Sequence, residues 1–106
     1  MDHGYVKLWR KVINSRVFQN DSLLKMFIWC IVKAAHKEIW VPISTGRGTT
    51  EVCLQPGQFI FGRKTASKEL RASQGSTYKR LQKLKNLQIL DIQSNTHFSI
   101  ISIINW

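Results

Sequence analysis

The chain has 106 residues, 43% of them hydrophobic, with four Trp, so it is long enough to bury one core without disulfide or metal and is no disordered basic tail. Sixteen basic side chains against six acidic ones give a net charge of +10. Residues 61–90 carry eight basic side chains against Glu69 alone, a net +7 of that total, and such concentration on one segment favours a phosphate-bearing partner.

The N-terminus Met1-Asp2-His3-Gly4-Tyr5-Val6-Lys7 offers no apolar signal region, and the uncharged runs 26–32 and 98–106 are too short to span a bilayer. Cys30 and Cys53 lack C-x-x-C spacing and sit in apolar contexts, which predicts two buried free thiols in a reducing, cytoplasmic setting without membrane association.

Val6, Trp9, Val12 and Ile13 recur at three- and four-residue steps among Lys7, Arg10, Lys11 and Arg16, so residues 5–17 are expected to form an amphipathic helix. Asn20 or Asp21 then caps a second helix over 22–37, apolar at nearly every position except Lys25 and Lys33 and closed by His36. Such a helix belongs at the centre of the core. Trp40, Val41 and Ile43 suggest a short extended piece. The Gly46-Arg47-Gly48 stretch within residues 44–50 lacks the Gly-Lys-Ser/Thr ending of a phosphate loop and is read as a plain loop.

Strands are expected at 51–54 and 58–61, joined as a hairpin by Gln55-Pro56-Gly57, where Pro pre-sets φ and Gly supplies a positive one. Val52, Leu54, Phe59 and Phe61 would face the core. Two helices follow, over 64–71 and 74–87, capped by Thr65 and Ser73, with Ala66, Leu70, Leu81, Leu84 and Leu87 inward. Segments 89–93 and 97–104 then form a terminal hairpin around Ser94-Asn95-Thr96. The last strand does not alternate, so both its faces are expected to be covered.

A short helix, a tight turn and a longer helix make a helix-turn-helix, and the flanking hairpins make it winged. The expected class is α+β: one winged helix-turn-helix domain over residues 1–106, mostly helical, with a small antiparallel hairpin before the motif and a C-terminal β wing.

Four stretches in this order resemble the N-terminal winged-helix domain of DnaD-like primosomal proteins and phage replisome organisers, which start replication in Gram-positive bacteria and their phages. They are Gly4-Tyr5-Val6-Lys7-Leu8 with Arg10-Lys11, the Trp29 helix ending in Lys33-Ala34-Ala35-His36-Lys37, Pro56-Gly57-Gln58-Phe59-Ile60 with Gly62-Arg63, and Asn95-Thr96-His97-Phe98 leading to Ile103-Ile104-Asn105-Trp106. The resemblance spans almost the whole chain and rests on the order of the motifs. It implies a role in DNA replication, binding of double-stranded DNA, self-association and contacts with replication proteins. Family members continue into a linker and a second helical domain, so a chain stopping at Trp106 is either a fragment or a stand-alone module. Where related helix-turn-helix units put Gly, after each helix, this chain has Arg71 and Gln88. Either the turns differ or a left-handed side chain is tolerated, at about 1 kcal/mol.

On this reading Gln74, Ser76, Tyr78, Lys79, Gln82 and Lys83 face bases, the glutamines suiting adenine and Lys79 guanine, while Gly75 lets the backbone come close. Arg63, Lys64, Lys68, Arg71, Arg80 and Lys85 meet phosphates. Asn95, Thr96 and His97 form a wing tip with little charge. Two alternatives stand beside it: an oligomerisation or protein-interaction module, resting on an uncovered edge at the last strand, and a small transcriptional repressor. The dispersed carboxylates and separated His3, His36 and His97 match no catalytic, metal or cofactor pattern, so no enzyme, metal or cofactor is expected.

Overall fold

The computed structural model describes residues 16–95 and 98–104. The expected helix over 5–17 therefore lies almost wholly outside the described residues. Residues 16–19 form a turn, whose Val17 is buried in the core.

The first described helix, α1 (Asp21–Lys33), begins where Asn20 accepts a hydrogen bond from the Leu23 amide at 3.1 Å, with Asp21 at the positive end of its dipole and Lys33 at the negative end. Leu23, Met26, Phe27, Cys30 and Ile31 are buried, which makes α1 the expected central helix. It stops at Lys33, short of the expected residue 37. Ala34 is extended, and Ala35 exchanges backbone hydrogen bonds with Gln58 and Gly57, each at 2.8 Å, so pairing with a distant strand overrides the helical propensity of Ala34 and Ala35 and leaves His36 beyond the helix.

The strands pair differently from the expectation. The short extended piece is a full strand, β1 (Ile39–Ser44), antiparallel to β2 (Thr49–Leu54) from Ile39↔Leu54 to Ser44↔Thr49. The loop around Arg47 is therefore a hairpin turn, with Gly46 at φ 75° and the Thr45 amide bonded to Gly48 O at 2.9 Å. Next, β3 (Gln58–Phe61) pairs with the last strand rather than with β2. Gln55-Pro56-Gly57 does turn the chain, with Gly57 at φ 87° and the Gln58 amide on Gln55 O, but it carries the chain from one sheet to another. The apolar strand near the C-terminus offers β3 more to bury than β2 does. Leu54 is buried outside the main core cluster, whereas Phe59 and Phe61 lie within it, edge-on to Trp29 at 5.6 and 6.2 Å between ring centroids.

Two helices follow, α2 (Arg63–Leu70) and α3 (Gln74–Asn86), then β4 (Leu90–Ser94) and β5 (Ser99–Ile103). Gly62, not Thr65, is the N-cap of α2, and Thr65 falls inside the helix. The three-stranded sheet has the order β3-β5-β4. No residue of β5 is exposed, in keeping with coverage of both its faces, and its two edges are occupied, so the uncovered edge expected at the last strand is absent.

Ala66, Leu70, Leu81, Leu84, Leu90, Ile101 and Ile103 complete the core with α1 and β3, and Leu87 is half-buried against it. Among the described residues helices make up 39%, and their architecture is mixed α/β, three helices with two antiparallel sheets, and not mostly helical. Cys30 is buried, its thiol pushed up to about 12 by burial; Cys53, expected buried, is half-buried on β2, and both are free. Among the described residues no helix is long and apolar enough to cross a membrane.

Candidate nucleic-acid interface

Ser73 sets the start of α3. Its Oγ accepts from the Ser76 amide at 3.1 Å and donates to Ser76 Oγ at 2.9 Å, while Thr77, wholly buried, donates to Ser73 O at 2.8 Å. Thr77, Leu81 and Leu84, at steps of four and three, are the inward face. The opposite face then follows from helical geometry: Gly75, Lys79, Gln82, Lys83 and Asn86. All are exposed except Gln82, which is half-buried. A Cβ on Gly75 would meet nothing within 4 Å, so packing does not demand glycine there.

Both helices of the motif end on a left-handed residue that is not glycine. Arg71 has φ 53° and Gln88 φ 62°. After α3 the Gln88 amide returns to Lys85 O at 2.9 Å and the Ile89 amide to Leu84 O at 3.1 Å, a Schellman closure. After α2 the Ala72 amide reaches Ser67 O at 3.1 Å, and Ser67 Oγ donates to Ala72 O. The two sequence positions where helix-turn-helix units favour glycine thus hold left-handed side chains.

The predicted contact residues fall into three groups. Lys79 and Lys83 are exposed on the outer face of α3; Lys64 and Lys68, one turn apart on α2, and Lys85 near the end of α3 are exposed as well, as is Gln74. Arg71 and Arg80, with Ser73, Ser76, Lys25 and Asp21, line an open cleft of about 370 Å³ where the first turns of α1 and α3 meet. Lys25 donates to Leu70 O at 2.8 Å across this cleft, capping α2. It was not among the predicted site residues, though a cation near the start of an otherwise largely apolar helix was a legible signal. The third group is internally bonded: Arg63 stacks on the Tyr78 ring at 4.4 Å, and Gln82 Nε2 donates to the Tyr78 hydroxyl at 2.8 Å.

The one acid of this segment is turned elsewhere. Glu69 accepts from Lys33 at 2.8 Å and from Trp29 Nε1 at 2.9 Å, which ties α2 to α1 and holds its carboxyl below the usual carboxylate range, chiefly through the Lys33 contact. Among the described residues none of the eight cations of 61–90 is in an ion pair. Asp21, across the cleft from Arg71 and Arg80, is the acid nearest to them in that lining, and the segment keeps its net positive field.

At the turn between β4 and β5, Asn95 Oδ1 accepts from the Phe98 amide at 2.9 Å, so this side chain shapes its own turn. Thr96 and His97 lie outside the described residues. No group of three or more potential metal ligands occurs among the described residues. Comparison with protein-family models, with curated proteins and with solved structures gives no match.

Proposed function

We propose that the chain is a winged helix-turn-helix module that binds duplex DNA, with α3 as the helix laid in the major groove and residues 94–99 as the wing. The observation that carries this reading is the basic surface of α2 and α3: eight cations, none of them in an ion pair among the described residues, around an outer helix face of Gly75, Lys79, Gln82, Lys83 and Asn86. The strand order β3-β5-β4 behind two helices joined by a three-residue turn suits the same architecture. Lys64, Lys68, Arg71, Arg80 and Lys85 serve as phosphate contacts, and most of the affinity is electrostatic. Asn95, Thr96 and His97 bring little charge, so the wing adds little grip. The resemblance to DnaD-like replication proteins makes replication initiation the cellular role we favour, and the module acts by binding rather than catalysis.

Fluorescence anisotropy with a labelled duplex tests this. Reversing Lys79 and Lys83 to Glu together is expected to weaken binding by at least tenfold, since two contacts become repulsions. Unchanged affinity in a folded double variant would remove α3 from the interface.

A second reading, self-association, is favoured by the β1–β2 arm. Its strands contact chiefly each other, Trp40 is 63% exposed, and Val32 at the C-terminal end of α1 is 62% exposed. Residues 37–54 carry Lys37 and Arg47 against Glu38 and Glu51, so this end of the molecule is neutral and apolar where the motif is basic. Sedimentation equilibrium decides: Trp40→Ser should shift a dimer toward monomer, and a wild-type protein that is monomeric at all concentrations contradicts the reading.

A further inference from the structure

Within that DNA-binding reading, on which it rests, we propose that Tyr78 is a positioning residue that fixes the side-chain amide of Gln82 as an adenine reader. Gln82 has two N–H donors and one carbonyl acceptor. One donor is committed to the Tyr78 hydroxyl at 2.8 Å, which leaves one N–H and Oε1 to present together. That donor and acceptor pair matches N7 and the N6 amine of adenine in the major groove. Guanine shows two acceptors there, N7 and O6, and would face Oε1 with O6.

The anchor is itself held. Tyr78 packs against the core, and the Arg63 guanidinium lies over its ring at 4.4 Å, so the phenol is held by two contacts before any ligand arrives. Stacking leaves the in-plane N–H groups of Arg63 able to meet a phosphate. Gln82 lies at the edge of the outer face, one turn from Lys79 and with Lys83 beyond it, where these cations bring the groove to it. Fixing a glutamine before binding removes rotamer entropy that a free side chain would lose in the complex. Tyr78, expected from sequence to touch a base, acts through Gln82 instead.

The test uses selection of bound duplexes from a randomised pool, followed by affinities for the selected site and its single adenine-to-guanine variants, with each protein also melted. The wild type is expected to prefer adenine at one position by about tenfold. Tyr78→Phe, which keeps the packed ring and removes only the hydroxyl, should lower that ratio by a factor of about three or more at unchanged melting temperature and unchanged salt dependence. Gln82→Ala should abolish the preference, and adding Tyr78→Phe to it should change the ratio no further. A Tyr78→Phe protein with the wild-type base ratio overturns the inference, as does a preference that survives Gln82→Ala, or a wild type that binds DNA without preference at any position. A wild type that binds no duplex at all overturns the DNA-binding reading as well.

Discussion

Replacing Arg71 by Gly separates what that residue does for the fold from what it does for a ligand. Arg71 closes α2 at φ 53° and ψ 50°, a left-handed conformation that costs an L-residue about 1 kcal/mol. Glycine removes that cost but gains freedom in the unfolded chain worth about 0.4 to 1 kcal/mol. The backbone bond from the Ala72 amide to Ser67 O at 3.1 Å needs no side chain at 71, and the Arg71 side chain is exposed. Stability should therefore stay within about 0.5 kcal/mol of wild type, on the side of a gain. DNA affinity should fall, and the slope of log affinity against log salt should become shallower by about 0.9, the signature of one lost phosphate contact. Gln88→Gly is the control, because Gln88 carries the same strain at φ 62° and no charge, and its slope should not move. Urea denaturation followed by tryptophan fluorescence, with anisotropy titrations at several salt concentrations, gives both quantities. A loss of more than about 1 kcal/mol in either variant would refute the backbone argument; identical slopes for Arg71→Gly and wild type would refute the phosphate contact.

Leu84→Ala empties a fully buried site where α3 meets the core and should cost about 2 to 5 kcal/mol in chemical denaturation. Gly75→Ala should raise stability by about 0.5 kcal/mol or more, because a methyl there meets nothing, while weakening DNA binding if the backbone lies close to the groove. Glu69 has a carboxyl held below its ordinary value of 4.5, so it stabilises the fold above that value and the contribution fades as pH falls through the lower folded value. Urea midpoints should accordingly drop on acidification across that window, and less so in Glu69→Gln. The Cys30 thiol, pushed up to about 12 by burial, should resist alkylation at neutral pH until the chain unfolds.

Local chemistry was the part of the fold written most plainly in the sequence. Ser73 as a cap and Leu81 and Leu84 at zero exposure follow from spacing within a few residues, and at Arg71 and Gln88, where the sequence left two outcomes open, the left-handed one is observed. Pairing was legible at the terminal hairpin, where β4 and β5 pair as expected, and not elsewhere. Gln55-Pro56-Gly57 does bend the chain, yet a turn signal cannot say which strand lies next to which, and β2 took β1 while β3 took the distant β5. The end of α1 was lost for the same reason: Ala34 and Ala35 carry no stop signal, and their conformation is set by Gly57 and Gln58. At the candidate site, the sequence shows which side chains are basic or amidic but not which are already occupied. That Tyr78 holds Gln82 within α3, that Arg63 of α2 lies over Tyr78, and that Asn95 is bonded within its own turn depend on side-chain conformations the sequence does not state, and they change what those residues can offer a ligand.

The measurement closest to the central claim is a titration of labelled duplex with the intact chain across a range of salt concentrations. Engagement of Arg63, Lys64, Lys68, Arg71, Arg80 and Lys85 with phosphates predicts a log-log slope near −5, from about 0.9 per contact. A flat response, or no binding at low salt, would contradict the assignment of the α2–α3 surface to DNA.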